Sequence, residues 1–341
     1  MDAPCVLASR RPASALRRAI IVKEVLRPPL FVLGVSRSGT TLLRVILDRS
    51  AGIAIPDETF FIPQLAHRHS SPVDPDAFLD DLRRLPRLAA WGVSAEEVAV
   101  RLRPDMSVGE ALAATFSAYA AKHGKPRWGD KTPMYMRHLG LIERLFPDAQ
   151  YVHLIRDGRD AALAFLDMPE GVVTRTWANP RSPGGFACEW RTEVRRARDL
   201  GRRLGLRRYL EIRYEDLVAD TEGAVRSICD FAGLPFEPAM LEYAGAVDVS
   251  AKPHHQRLLQ PPTRGVRDWR TQMSRADALA FEAIAGDLLA ELDYELLERR
   301  SARGTRKVPL AWYRARMAAW NAAAYAAQRS PLWRRRHPPL L

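Results

Sequence analysis

The sequence predicts an α/β fold of the phosphate-loop type: a central parallel sheet, helices on both faces, and an inserted helical region. Two strand–loop–helix units and the helical stretch between them carry that prediction. Leu30-Phe-Val-Leu-Gly34 is a short apolar run ending in glycine, as a strand buried on both faces should read. The stretch TTLLRVILDR at 40–49 follows at once, with Leu42, Leu43, Ile46 and Leu47 at helical spacing. The second unit repeats the design, with a strand at Gln150–Ile155, a turn containing Gly158, and a helix starting at Ala161. Strands alternating with helices imply parallel pairing with both faces covered.

The remaining elements follow in order. Residues 74–84, 94–103 and 107–122 have helical patterns and form an insertion at roughly 60–130 that reads as an inserted helical subdomain or lid. A basic helix is expected at 189–204, and a third strand at Tyr209–Tyr214. Amphipathic helices are expected at 221–233 and 274–297. The Pro- and Arg-rich stretches 179–185 and 253–264 read as loops. The chain thus divides into a segment 1–27, a main domain 28–298, and a tail 299–341.

Composition excludes several classes. With 47% hydrophobic and 27% charged residues among 341, the chain can build a sizeable core. Cys5, Cys188 and Cys229 lie far apart without a CxxC pair, so the spacing offers neither a disulfide framework nor a local thiolate zinc site. The net charge of +12 sits almost wholly in the tail, where residues 299–341 carry eleven basic residues and no acid. A neutral main domain argues against nucleic acid as partner, because phosphate-backbone binding calls for cations spread over the folded body. The run AIIVKEVL is broken by Lys23 and Glu24 and is too polar for a signal segment, and no apolar run approaches 18 residues. A cytoplasmic protein is expected.

The chemistry concentrates in Gly34-Val-Ser-Arg-Ser-Gly39-Thr40-Thr41. Two glycines let backbone N–H groups converge on an anion, and the following helix adds its positive N-terminal dipole. The loop lacks the Gly-Lys step that bridges β- and γ-phosphates, and Arg37 supplies a bidentate cation instead. Beyond it, Asp57-Glu58-Thr59 offers a carboxylate that on its own fits either a helix cap or a base. His67-Arg-His69 and His254-His255 lack further ligands at metal spacing and read as solvated loop histidines; Cys188 reads as core.

The stretch Pro29–Pro63 resembles the N-terminal signature of sulfotransferases that use 3′-phosphoadenosine 5′-phosphosulfate (PAPS), in their bacterial and tyrosylprotein-type branch. The similarity continues at Gly129-Asp-Lys131-Thr-Pro133, Phe146 to Asp160, Arg213-Tyr-Glu-Asp-Leu217 and Val266 to Arg270. The resemblance implies that Arg37, Ser38, Gly39, Thr40 and Thr41 hold the 5′-phosphosulfate, that no metal is needed, and that Glu58 is the catalytic base. It implies that Lys131 stabilises charge at the bridging oxygen and that Arg156 grips the 3′-phosphate. Tyr214 would lie near the nucleotide, Arg264 would close over the 3′-phosphate, and Ser250 would stand near the sulfuryl group. One departure is Ala164, where the family usually has a serine. A phosphate-loop nucleotide or small-molecule kinase, and a homologue that binds without catalysis, stand as alternatives.

Phe60 and Phe61 follow the Glu58-Thr59 pair and favour an apolar or aromatic acceptor surface: a hydroxyl of a lipid, glycolipid or secondary metabolite. Trp91, Trp128 and Trp177 are expected near that cleft. The tail segment Pro309–Gln328 reads as a basic aromatic helix. It fits packing on its own domain or a second copy, peripheral contact with an anionic membrane, or another partner.

Overall fold

The computed structural model describes residues 27–168, 179–244, 267–298 and 307–336. Four parallel strands form one sheet: β1 (Leu30–Leu33), β2 (Gly129–Asp130), β3 (Gln150–Ile155) and β4 (Tyr209–Arg213), in the order β2-β1-β3-β4. Leu30 pairs with Gln150 and Leu33 with His153, while Tyr151 pairs with Tyr209 and Ile155 with Arg213. The predicted strands are present; β2 is too short to leave a hydrophobic pattern. A bridge between Ala54 and Trp128 runs parallel beside it.

Because side chains alternate along a strand, the sheet has two apolar faces, each with its own core. Phe31, Leu33, Tyr151 and Ile155 face the inserted helices and the long Pro183–Leu204 and Arg275–Glu291 helices, through Phe61, Phe116, Trp190 and Phe281. Leu30, Val32, Val152 and Leu154 face the Thr40–Asp48 and Thr221–Ala232 helices, through Leu43, Ile46, Val225 and Ile228. The expectation of helices on both faces therefore holds.

Local chemistry sets the helix boundaries. Ala95–Ala99 and Val108–Lys122 each begin with a capping box, Ser94 with Glu97 and Ser107 with Glu110. Pro75–Arg83 starts with Asp74 accepting two backbone N–H bonds and with proline in the first position. Two helices the periodicity did not announce, Ile62–Arg68 and Pro86–Ala90, complete the insertion. Several boundaries differ from expectation, and the helix expected from Ala161 already begins at Gly158, where Asp157 caps it. The 94–103 pattern stops at Ala99, and the 274–297 pattern stops at Glu291, where Asp293 takes a left-handed φ of 58°. The supposed loop at 179–185 already contains helix, because Ser182 caps it and Pro183 occupies its first turn.

The tail packs on its own domain. The helix Lys307–Arg329 seats Leu310, Tyr313 and Met317 in the core shared with the insertion, and its Tyr325 ring meets His67 edge-on at 4.9 Å.

One ion cluster ties these layers together. The fully buried Arg159 donates to Asp157 and Glu282, each at 2.7 Å, and to the carbonyl of Glu295, with its guanidinium 3.6 Å from the Trp269 ring centre. Arg159→Ala would strand two carboxylates in the interior. Guanidinium unfolding should show a loss of about 3–5 kcal/mol, the scale for breaking a buried pair. A loss below about 1 kcal/mol, the value of a surface pair, would mean the cluster anchors nothing.

Candidate active site

All four strands run in the same direction, so their C-terminal ends share one edge of the sheet. In open α/β sheets that edge is where ligands bind. Each strand delivers a polar residue there. The Gly34–Thr41 loop follows β1, Lys131 follows β2, Arg156 follows β3, and Tyr214 follows β4.

The loop takes its shape from two left-handed residues, Arg37 at φ 71° and Gly39 at φ 90°. A non-glycine residue there is uncommon, and it turns successive amides toward one side. The Ser38 N–H closes the turn on the Val35 carbonyl at 3.1 Å. Gly39 precedes the Thr40–Asp48 helix, and no side chain caps the first turn, so its amides face the loop. Gly39 is needed for a second reason. A Cβ there would lie 2.4 Å from the Tyr214 ring, which packs directly on the loop.

Arg156 completes this side. Its guanidinium sits 4.7 Å from the Tyr214 ring centre and donates to the Arg37 carbonyl at 3.2 Å. Its Nε is a buried donor with no acceptor among the described residues. Trp190 holds the Arg156 carbonyl at 3.1 Å, and Asp160 lies 4.0 Å from Nη2. Glu215 braces the two strand ends: one oxygen accepts the Asp157 N–H at 3.0 Å, the other the Tyr294 hydroxyl at 2.9 Å.

An ion pair with one buried member lies on the same edge. Lys131 is fully buried, bonds to Thr41 Oγ1 at 3.1 Å, and pairs directly with Glu58. Burial pushes the Lys131 ammonium down from its ordinary range, against the pull of Glu58. Glu58 itself is partly exposed, so the pair has one dry and one wet member.

A buried network fixes the loop that carries Glu58, and sequence reasoning missed it. The Thr59 N–H donates to Thr132 Oγ1 at 2.9 Å, and Thr59 Oγ1 donates to Asp130 at 2.8 Å. The Tyr135 hydroxyl lies 2.5 Å from Thr59 Oγ1 and accepts the Ile62 N–H at 3.1 Å. Burial raises the Asp130 carboxyl to about 7. A polar residue beside the Gly129-Asp130-Lys131-Thr132 turn was the available signal, but no spacing rule links positions 59 and 135.

The structure brings Arg37, Ser38, Gly39, Thr40, Thr41, Glu58, Lys131, Arg156 and Tyr214 to one edge. Ser250 and Arg264, with Trp177 and His254-His255, lie outside the described residues. Phe61 requires correction: it is fully buried against Trp91 and Phe116, at 5.6 and 5.7 Å, and presents no surface to an acceptor. Trp91 and Trp128 are buried in the same core. Phe60 alone is partly exposed, at a left-handed φ of 59°, with the Arg87 guanidinium 5.1 Å from its ring centre. Its neighbour Thr59, anchored inward, forces the turn that sends the two rings apart. His69 is also not solvated, since its ring pairs with Asp81 at 3.1 Å, with both side chains nearly buried. Cys188 is buried and its thiol pushed up, which suits a core residue. Ala164 is buried in the Gly158–Leu166 helix.

A glycine loop bearing Arg37, with Lys131, Arg156 and Glu58 on the same parallel edge, is an arrangement chemically suited to an anion, as in α/β folds of the phosphate-loop type. The chain belongs to the sulfotransferase family, whose pattern matches residues 28–238. It is 27% identical over 234 residues to protein-tyrosine sulfotransferase A of Caenorhabditis elegans, covering 68% of this chain and 53% of that protein. It is 28% identical over 294 residues to the nodulation protein NoeE of Sinorhizobium fredii, covering 78% and 65%. The chain thus spans about half to two-thirds of the length of these curated relatives. Among solved structures it is similar to the sulfotransferase domain of the Synechococcus PCC 7002 olefin synthase, with 26% identity, a TM-score of 0.55, and coverage of 79% and 95%.

The Asp130 carboxyl yields a pH test. Its raised value means the folded chain binds a proton there that the unfolded chain has released. Stability should therefore fall as pH rises from about 4 to about 7. Asp130→Asn should flatten that decline in thermal unfolding midpoints while keeping an acceptor for Thr59. An unchanged pH slope would show that Asp130 titrates normally.

Proposed function

We propose that the chain transfers a sulfuryl group from PAPS to an acceptor hydroxyl, with Glu58 as base. The observation that carries this reading is the convergence of the glycine loop, the Lys131–Glu58 pair and Arg156 on one edge of the sheet. In the proposed in-line step the acceptor oxygen forms a bond to sulfur and its proton passes to Glu58. The bond from sulfur to the phosphate oxygen breaks, and charge grows on that oxygen. Lys131, Arg37 and the first-turn amides of the Thr40–Asp48 helix would stabilise it. Arg156 Nε, which has no acceptor among the described residues, is a donor suited to a further phosphate, which supports its assignment to the 3′-phosphate. No step requires a metal, and the loop lacks the lysine on which kinases of this architecture depend.

The ion pair adds an ordering. Before donor binds, Lys131 holds the carboxylate that must act as base. A bound phosphosulfate competes for that ammonium and frees Glu58 for the acceptor, so donor should precede acceptor.

For the acceptor we favour a hydroxyl on an apolar carrier: a lipid, glycolipid or secondary metabolite. Phe60 is the partly exposed ring beside the base, and the neighbouring Arg87 lies 3.9 Å from Asp57. Transfer of labelled sulfate to extracts divided into lipid, small polar and peptide pools tests this choice. Label confined to the peptide pool would overturn it.

Two variants separate the roles. Glu58→Gln should cut turnover by about 10²-fold or more while binding donor at least as tightly, since Lys131 loses its competitor. Weakened donor binding with unaltered turnover would remove Glu58 as base. Arg156→Ala should weaken a nucleotide carrying a 3′-phosphate and barely affect one without it. Equal losses would remove Arg156 from that site. Ala164→Ser should leave donor binding unchanged or tighter, because a hydroxyl bond to a charged group contributes about 1.5–3 kcal/mol.

A further inference from the structure

The two faces of the Lys307–Arg329 helix differ in kind. Its inner face, through Leu310, Tyr313 and Met317, belongs to the core. Its outer face carries Val308, Trp312, Ala315, Ala319, Ala322 and Ala326, all exposed. These positions follow the helical repeat, so they form one apolar stripe about 27 Å long. Two large apolar side chains stand out on it, Trp312 at 69% exposed and Val308 at 80%; Leu332, in the following helix Pro331–Arg336, is 73% exposed. Of the seven large hydrophobic side chains exposed among the described residues, four lie within 307–336, the fourth being Tyr325.

The charge the tail itself brings to the stripe is all of one sign. Lys307, Arg314 and Arg329 are exposed beside it, Arg334-Arg335-Arg336 follows in sequence, and no acid occurs anywhere in 299–341. A second copy of the chain is a poor occupant. Two such faces meeting about a twofold axis would set like charges together with no tail carboxylate to offset them. An anionic bilayer fits both properties at once. Lipid headgroups neutralise the cations, and the indole and aliphatic side chains enter the headgroup–acyl boundary. No helix among the described residues is long and apolar enough to cross a membrane, so the contact would lie along the surface.

We propose that the outer face of the C-terminal helix docks the chain peripherally on an anionic lipid surface, led by electrostatics and seated by Trp312. This inference is independent of the sulfuryl-transfer reading, and its failure would leave that reading intact.

Cosedimentation of the full chain with vesicles tests it, comparing pure phosphatidylcholine with vesicles containing about 30 mol% phosphatidylglycerol. Binding should favour the anionic vesicles by about tenfold or more and be largely lost near 0.5 M salt, where surface charges are screened. The triple variant Lys307→Ala, Arg314→Ala, Arg329→Ala should weaken binding by about tenfold or more. Trp312→Ala should weaken it by at least about threefold, with an unchanged thermal midpoint in both variants because these side chains are exposed. Equal partitioning onto neutral vesicles, or none onto either, would overturn the proposal. So would a concentration-dependent dimer in sedimentation that Trp312→Ala dissolves, which would assign the face to a second copy.

Discussion

The site is organised around the burial of Lys131. A lysine taken wholly out of water is costly unless a carboxylate and hydrogen bonds meet it. Here Glu58 and Thr41 meet it, and they come from two different segments. Thr41 belongs to the first turn of the helix behind the glycine loop, and Glu58 to the segment leading into the helical insertion. One ammonium thus joins the glycine loop, the end of β2 and the insertion. The Asp130, Thr132 and Tyr135 bonds to Thr59 make that junction stiff, because they fix the residue next to Glu58 from three directions.

On the other side of the edge, one short motif performs two tasks. In Arg156-Asp-Gly-Arg159-Asp160 the first arginine lies against the glycine loop, and the second is sealed into the core with Asp157 and Glu282. Gly158 makes the division possible, since a Cβ there would come within 2.6 Å of Trp190 and Phe281. Asp160 then accepts the Trp269 N–H at 2.9 Å, and Glu215 joins the ends of β3 and β4. Residues distant in sequence therefore hold Arg156 in place without contacting the space in front of it.

Much of this was legible in the sequence because it rests on local rules. The strand at 30–33 is a continuous apolar run, those at 150–155 and 209–213 mix apolar and polar residues beside turn signals, and the glycine loop announces itself by spacing and context. The ordered motifs placed Glu58, Lys131, Arg156 and Tyr214 at one site. What was not legible depends on long-range geometry. Phe60 and Phe61 look alike in sequence, yet with Thr59 anchored inward Phe61 lies in the core and Phe60 is left partly exposed. The two-residue strand β2 is defined by its partner, not by its own pattern. The tail reads equally as packed, membrane-directed or bound to another partner, whereas the helix buries one face and exposes the other, so periodicity alone does not choose among them.

The central claim is that this edge is built for a nucleotide carrying both a 3′-phosphate and a 5′-anion, with Lys131, Arg37 and Arg156 doing without a metal. Calorimetric titration of the unaltered chain with adenosine 3′,5′-bisphosphate, with and without a chelator, tests it most directly. The account predicts saturable one-site binding that the chelator leaves unchanged, and much weaker binding of ATP with Mg²⁺. No binding of the bisphosphate, together with Mg²⁺-dependent binding of ATP, would contradict it.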